Sequence, residues 1–332
     1  MNDREGPEPL TRRRFIRAAA WSTAIACSRP TISRKQPARA REAVEQKPVV
    51  DTHMHVWADD LRKFPCDHPY QPDFEGPPCS GSVEMLVDDM DRHGVTHAVL
   101  VQVIYHGWDN SYLVHCLEQY PGRFAAQGLI DPTAEDVADK LEYWVAERGL
   151  AGMRFSPIYY LNKDEWLTAP ATHRLWKKAT ELGAVFNFFI ATGQLPKLAR
   201  MVERFPEVPV VVDHLSQIDL GSEDPQPQLN KLLALARFPN VWVKVSELTS
   251  VSKSGKYPFT DAFPWVRQVY DAFGPDRLLW GTGYPGAARA HFNRPALAAE
   301  LDLIRREIAF FTSEDREKIL GRNAAQLWKL EA

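Results

Sequence analysis

The sequence predicts a single α/β domain with the closed parallel (β/α)8 architecture of a TIM barrel. From residue 48 onward, short apolar runs rich in β-branched residues alternate with amphipathic stretches of helical length. Eight strand segments are each followed by a helical one. Connections from helix to strand are short, whereas several from strand to helix are long. The alternative is an open doubly wound sheet, but no Gly-x-Gly-x-x-Gly or phosphate loop follows an early strand.

The individual elements follow from this alternation. Strands are predicted over residues 49–53, 96–103, 124–129, 151–155, 184–190, 208–213, 241–246 and 277–281. Helices are predicted near 82–93, 110–120, 134–148, 170–182, 193–205, 227–237, 260–273 and 294–309. A C-terminal helix over 313–329 opens with Ser313-Glu314-Asp315, in which a capping hydroxyl precedes acids in the first turn.

Long loops mark the functional end of this barrel. They are predicted after the strands, at residues 56–81, 156–169, 214–226, 247–259 and 282–293. In a parallel barrel such loops meet at the carboxyl-terminal mouth, where active sites are built. The 56–81 loop is rich in Pro, Asp and aromatic residues, and we expect it to form a lid. A structural plug or an oligomer contact is the alternative.

The first 40 residues have the pattern of an export signal, and the barrel domain is assigned to 41–332. TRRRFIR at 11–17 precedes a short apolar stretch and an Ala-x-Ala end at Ala40, which is typical of a twin-arginine signal peptide. We therefore expect a periplasmic or otherwise extracytoplasmic protein. A disordered basic tail is one alternative, and lipid anchoring at Cys27 is another. The apolar stretch is too short to span a membrane.

Composition limits the partners. The net charge is −3 and no basic stripe is present, so nucleic acid is not expected to bind. Ten tryptophans and 25 prolines favour aromatic pockets and structured loops. Cys66 and Cys79 bracket a Pro-rich loop and would form a disulfide in an oxidising compartment, unless they are free, partly buried thiols. A homodimer is the general expectation for a symmetric assembly.

Polar side chains follow the predicted strands at the mouth. VVDTHMHVW at 49–57 places His53 and His55 on one side of the first strand, where two imidazoles are able to hold a metal or flank a substrate. The other strand ends supply Gln102, Tyr105, His106, Trp108, Asp131, Arg154, Asn187, Thr192, Asp213, His214, Lys244, Ser246, Glu247, Gly283 and Tyr284.

Each of these residues also has a structural interpretation. His214 fits a hydrogen-bonded core histidine, and His106 a loop residue. Asp131, before a proline, fits a turn or helix cap. Arg154 and Lys244 fit ion pairs with an aspartate inside the barrel. Function is favoured because several such side chains converge on one mouth.

The chain resembles the amidohydrolase-related family, in the branch that contains metal-dependent TIM-barrel hydrolases, decarboxylases and lactonases. The motifs that carry the resemblance are DTHMHVW, GMRFSP, VVVDHLSQ, VWVKVSEL, WGTGYP and ILGRNAAQLWKL, in this order along residues 48–330. The resemblance implies a metal held by histidines of strands one, five and six and by an aspartate of strand eight. His53, His55 and His214 match that pattern.

Two family positions differ. The strand-five histidine position is occupied by Phe189, and the strand-eight aspartate position by Gly283, which is unable to bind metal or carry a proton. His53, His55 and His214 still offer three ligands for one divalent ion, zinc or manganese. Glu247, at the end of strand seven, is the best substitute base or ligand. Asp213 is expected to point away from His214, because side chains alternate along a strand.

The favoured interpretation is an exported hydrolase that acts on a small carboxylated lactone, ester or amide. His53, His55, His214 and Glu247 are its candidate catalytic residues. The candidate substrate-binding residues are Arg154, which would anchor an anionic group, with Gln102, Tyr105, Trp108 and Tyr284. Aromatic mouth loops favour a ring-containing ligand. Metal-independent action is an open alternative, as are a non-catalytic small-molecule-binding barrel and a decarboxylase, although Gly283 removes the usual proton donor of the latter.

Overall fold

Eight parallel strands form one sheet in the order β1 to β8, which confirms the predicted (β/α)8 barrel. The computed structural model describes residues 47–161 and 163–331, so the predicted signal segment and Cys27 lie outside the described residues. The strands are β1 Val50–Met54, β2 His97–Val101, β3 Phe124–Gly128, β4 Gly152–Phe155, β5 Val185–Phe188, β6 Val210–Val212, β7 Val241–Ser246 and β8 Leu278–Gly281. All eight overlap the segments predicted from apolar runs.

Helices follow the strands, as the alternation predicts. They are α1 Val83–His93, α2 Ser111–Gln119, α3 Val137–Glu142, α4 Pro170–Leu182, α5 Leu195–Arg204, α6 Gln226–Leu233, α7 Leu248–Val251, α8 Phe263–Phe273, α9 Ala288–His291, α10 Leu297–Asp302, α11 Ser313–Glu317 and α12 Asn323–Trp328. The short α7 and α9 lie inside segments that the sequence indicated only as loops. Three predicted helices each contain a π-helical stretch, at Tyr143–Glu147, Leu303–Glu307 and Lys318–Arg322.

The N-terminal end of α11 differs in detail from the prediction. Its cap is Thr312 rather than Ser313, and Asp315 completes a capping box with the Thr312 backbone. The capping oxygen must precede the first helical residue by one position, because only there does it face the free N–H groups of the first turn.

Gly283 completes the closure of the barrel beyond the end of β8. Its N–H donates to His53 O at 2.6 Å, and its carbonyl oxygen accepts from His55 N–H at 2.7 Å. Gly283 has φ of +106°, a conformation that L side chains rarely adopt. The residue at the expected aspartate position therefore joins β8 to β1 through its backbone.

Two apolar layers position the mouth. The larger cluster packs the outer faces of the strands against the surrounding helices. The smaller one joins Val50, Val99, Val185 and other strand residues with Ala324 and Trp328 of α12. Because it includes strand residues outside the helix-facing cluster, the smaller layer fills the barrel interior, and α12 covers the end opposite the mouth.

Side chains of the 56–81 loop lie at the mouth, and the role of this loop as a lid stays a prediction. Phe74 stacks on Tyr105 with ring centroids 5.0 Å apart, and Tyr70 lies 6.3 Å from the ring of Trp108. Cys66 and Cys79 are free, partly buried thiols, which is the alternative to the disulfide. The Cys79 carbonyl oxygen instead accepts a hydrogen bond from Trp57 Nε1, which fixes that end of the loop. Among the described helices, none is long and apolar enough to cross a bilayer.

Candidate active site

The two histidines of β1 lie side by side, as their spacing predicts. His53 is fully buried, and His55 retains only 7% of its surface. Their Nε2 atoms are 3.1 Å apart. His55 Nδ1 lies 2.7 Å from the carbonyl oxygen of Val101 on the neighbouring strand, so this nitrogen donates and carries the ring proton.

Asp213 and His214 both face the barrel interior, and the prediction that they point to opposite sides is wrong. Alternation ends with the strand at Val212, and His214 adopts φ of +51°. The ring centroids of His53 and His214 are therefore 4.3 Å apart. Asp213 Oδ1 lies 3.6 Å from His53 Nδ1. Nδ1 of His214 pairs with Ser246 Oγ at 2.8 Å, which orients the ring.

Lys244 and Arg154 both pair with Asp213, so the predicted ion pairs are present. Lys244 Nζ lies 3.0 Å from Asp213 Oδ1, and Arg154 Nε lies 3.3 Å from Oδ2. Lys244 Nζ also lies 3.1 Å from His53 Nδ1. Lys244 and Asp213 have no exposed surface. A layer of paired charges therefore lies directly beneath the histidines.

Glu247 supplies a carboxylate at the point where strand eight lacks one. A Cβ atom added at Gly283 would lie 3.5 Å from Glu247 Oε1. The same oxygen lies 3.8 Å from His214 Nε2, and Oε2 pairs with Arg294 Nη2 at 3.1 Å. Arg294 also donates to Ser250 Oγ at 3.0 Å. The carboxylate is thus held from both sides.

Burial and neighbouring charges determine the ionisation of these groups. Burial, with a smaller contribution from Arg154, lowers the pKa of His55 to about 3, and burial also lowers the pKa of His214. Burial opposes the charge on Glu247, but His214 and Arg294 outweigh it and hold its pKa below the ordinary value. Burial likewise opposes the charge on Asp213, but Lys244 holds its pKa well below normal. At neutral pH the histidines are neutral and both carboxylates are ionised.

A cavity of about 670 Å³ opens above these residues. Seven of the predicted site residues line it: His55, Tyr105, Trp108, Arg154, His214, Glu247 and Tyr284. Further aromatic side chains on its wall are Tyr70, Phe155, Tyr159, Tyr160 and Phe189. The volume and the aromatic wall suit a small ring-containing ligand.

Two predicted residues do not reach the cavity, and the lining includes an arginine that was not predicted. His53 lies beneath His55, and Gln102 is fully buried with its Nε2 donating to Asp109 O at 2.6 Å. Gln102 therefore contacts the backbone of its own loop instead of a ligand. Arg294 lines the cavity but was not predicted, because it stands at the start of a predicted helix and no pattern distinguishes it from other surface arginines.

Potential metal ligands converge beneath the cavity, but a lysine lies among them. His53, Asp213 and His214 bring potential ligand atoms within 4.8 Å of one another. However, the Lys244 ammonium forms an ion pair with Asp213 and lies at hydrogen-bonding distance from His53 Nδ1. At an effective dielectric of about 20, a divalent ion about 4 Å from this ammonium would be repelled by about 8 kcal/mol, which offsets an attraction of similar size by the Asp213 carboxylate. In this arrangement the residues do not fit a divalent cation.

Comparison with known proteins agrees with the fold and the motif order. The amidohydrolase family model matches residues 50–330. The chain belongs to this family. A 4-sulfomuconolactone hydrolase of Hydrogenophaga intermedia is 28% identical over 84% of this chain and 88% of its own length. An L-fucono-1,5-lactonase of Burkholderia ambifaria is 26% identical over 72% of this chain and 82% of its own.

A solved structure supports the fold. An amidohydrolase from Burkholderia multivorans with bound zinc has a TM-score of 0.71, with 20% identity over 86% of this chain and all of its own. At that identity the likeness shows the barrel architecture alone. These two relatives are named as lactone-hydrolysing enzymes, and membership of the family supports an enzymatic, hydrolase-type site in this chain in general terms.

Proposed function

We propose that this protein hydrolyses a small lactone that carries a carboxylate or another anionic group. The observation that carries the proposal is the position of the Glu247 carboxylate. It lies on the cavity wall, 3.8 Å from His214 Nε2 and 3.5 Å from the place of a Cβ atom at position 283. The family resemblance places an aspartate at that position, so Glu247 brings a carboxylate to the same region from the neighbouring strand.

Glu247 is the general base in this scheme. Its pKa lies below the ordinary value, so it is ionised at neutral pH and able to accept a proton from water. The water oxygen forms a bond to the lactone carbonyl carbon while Glu247 takes one proton. The ring C–O bond then breaks, and the ring oxygen takes that proton back from Glu247. The products are one open-chain hydroxy acid, whose new carboxyl group then releases its remaining proton to solvent, and the regenerated Glu247 carboxylate.

Two neighbouring side chains orient the substrate. His214 presents Nε2 beside Glu247, and Ser246 at its Nδ1 favours a proton on Nε2 by donating its hydroxyl hydrogen. That N–H is placed to donate to the carbonyl oxygen as negative charge develops there. Arg154 donates to Asp213 through Nε, and the residue also lines the cavity. The other nitrogens of its guanidinium group suit a substrate carboxylate.

The aromatic wall selects the ring. Tyr105, Trp108 and Tyr284 line the cavity together with the lid residue Tyr70. Flat aromatic surfaces pack well against an unsaturated or conjugated ring. This favours a substrate like 4-sulfomuconolactone, the substrate named for one relative, over a sugar lactone such as L-fucono-1,5-lactone, named for the other.

The test is lactone hydrolysis by the purified protein, followed as acid release on both of these lactones. Glu247→Gln keeps the shape of the side chain and removes the base, so we expect kcat to fall about 10²- to 10⁴-fold. Glu203→Gln is the matched control, because that side chain is 69% exposed on α5. Equal rates in wild type and Glu247→Gln would refute the role of Glu247. Absence of hydrolysis, with a lactone that only raises the melting temperature, would favour the non-catalytic barrel.

Export and self-association belong to the same proposal. The twin-arginine pattern supports delivery to the periplasm. Replacing Arg12 and Arg13 by lysine should retain the protein in the cytoplasm, as measured by cell fractionation. A homodimer is proposed on general grounds of symmetry, and light scattering of the purified protein tests it.

A further inference from the structure

Lys244 is a fully buried lysine on β7 that contacts His53, the buried member of the histidine pair. Burying an ammonium group removes its hydration and is rare in proteins. Its Nζ lies 3.0 Å from Asp213 Oδ1 and 3.1 Å from His53 Nδ1. Asp213 already has a second cation in Arg154, at 3.3 Å. Neutralising Asp213 therefore does not by itself account for a lysine placed against the imidazole.

The hydrogen bonds around Lys244 form a chain with one direction. An ammonium group has only donors, so His53 Nδ1 must accept from it. The proton of neutral His53 then lies on Nε2, which donates to His55 Nε2 at 3.1 Å. His55 can accept there because its own proton lies on Nδ1, which donates to Val101 O at 2.7 Å. Every ring nitrogen in the chain has one partner of the correct kind.

We propose that Lys244 is a positioning residue that fixes the tautomer of His53 and, through it, the orientation of His55 on the cavity wall. The inference rests on the proposed hydrolase function, because His55 lines the cavity in which the lactone carbonyl would react. His53 is buried and lies outside the lining of the cavity. Lys244 does not line the cavity either, so it acts on the substrate through neighbouring side chains, and the hydrogen-bonded route leads through the two histidines.

The same contact replaces a divalent ion. A metal ligand nitrogen must be deprotonated and free, but His53 Nδ1 is taken by Lys244 and His53 Nε2 carries a proton. The ammonium thus supplies the positive charge beside Asp213 and His53, two of the three residues whose ligand atoms converge. The site is built to work without zinc or manganese.

The first test is the tautomer of His53 in the wild-type protein. Two-bond ¹H–¹⁵N correlation spectra of the full chain, labelled with ¹⁵N-histidine, distinguish a proton on Nε2 from one on Nδ1. The His53 signal is assigned by its loss in His53→Gln. We expect the Nε2–H tautomer, and the Nδ1–H tautomer would overturn the proposal without any variant of Lys244.

The second test is zinc uptake, measured by elemental analysis after equilibration with zinc chloride and gel filtration. We expect wild type to retain much less than one equivalent. Lys244→Met removes the ammonium, so we expect zinc affinity to rise at least tenfold. Lys197→Met is the matched control, because Lys197 also pairs with one aspartate, Asp164 at 2.6 Å, away from the cavity. One equivalent of zinc in wild type would overturn the proposal.

Kinetics separate this inference from the proposed function. A positioning role predicts that Lys244→Met lowers kcat at least tenfold with a smaller change in KM, and that His53 populates both tautomers. If Lys244→Met does not fold, the wild-type tautomer and zinc content still decide. Hydrolysis that requires added zinc would overturn the inference and leave the lactonase proposal standing. If Glu247→Gln hydrolyses the lactone at the wild-type rate, the lactonase proposal alone is overturned, and the inference about Lys244 is not.

Discussion

Glu300 should make the folded protein less stable as the pH rises, and its replacement by glutamine should remove that loss. Glu300 lies on α10 with 3% of its surface exposed. Burial, assisted by the nearby charge of Asp51, raises the pKa of this carboxyl to about 8 against an ordinary 4.5. Trp280 Nε1 donates to its backbone oxygen at 3.2 Å, which holds the residue against β8.

The size of the effect follows from linkage. Because the folded pKa lies above the unfolded one, the unfolded chain releases its proton first as the pH rises. The contribution of Glu300 is full below about pH 4.5 and is lost progressively up to about pH 8. At about 1.36 kcal/mol per pH unit, the loss between pH 5 and pH 8 is about 3 to 4 kcal/mol.

The assay is urea unfolding of wild type and Glu300→Gln at pH 5 and pH 8, followed by circular dichroism. The stability of the variant relative to wild type should rise by about 3 to 4 kcal/mol between the two pH values. Glu307→Gln, an exposed position shortly after Glu300, is the control and should show no such change. A relative stability that stays constant within about 1 kcal/mol would refute the reasoning.

Three further predictions concern the mouth. Asp213→Asn leaves two buried cations without their anion and should cost about 3 to 5 kcal/mol in urea unfolding; a loss below about 1 kcal/mol would contradict the paired layer. Arg294→Met removes a charge that lowers the pKa of Glu247, so the acid limb of the pH–rate profile should move to higher pH; an unmoved limb would exclude that ion pair as the cause. Gly281→Ala places a Cβ atom 2.8 Å from the Cβ atom of His53 and should lower kcat, because His53 must shift. Gly193→Ala, with nothing within 4 Å, should leave kcat unchanged. Equal rates in the two variants would contradict the close packing at Gly281.

The sequence predicted the fold because the barrel repeats one local pattern. Each strand is a short apolar run between turn signals, and repetition makes the assignment independent of any single segment. Ends of elements were less predictable. Thr312 rather than Ser313 caps α11, because a one-residue shift leaves the composition of the segment unchanged.

Site residues were predicted correctly where strand geometry determines the direction of the side chain, and incorrectly where the strand has ended. His53 and His55 share a side because they lie two apart in a strand. Asp213 was placed on the wrong side because alternation no longer applies once the backbone turns at His214. Arg294 was not predicted because it lies in a loop, and no local sequence pattern indicates where that loop runs.

The glycine that closes the barrel also constrains how this site is able to change. Restoring an aspartate at position 283 would add a second carboxylate beside Glu247, whose Oε1 lies 3.5 Å from the new Cβ. The like charges would raise the pKa of one of them, and the backbone at φ of +106° would be strained. Losing Glu247 first would leave no base. In the proposed mechanism, each single step toward the aspartate of the family pattern therefore lowers activity, and positions 247 and 283 form an epistatic pair that only a simultaneous exchange reverses.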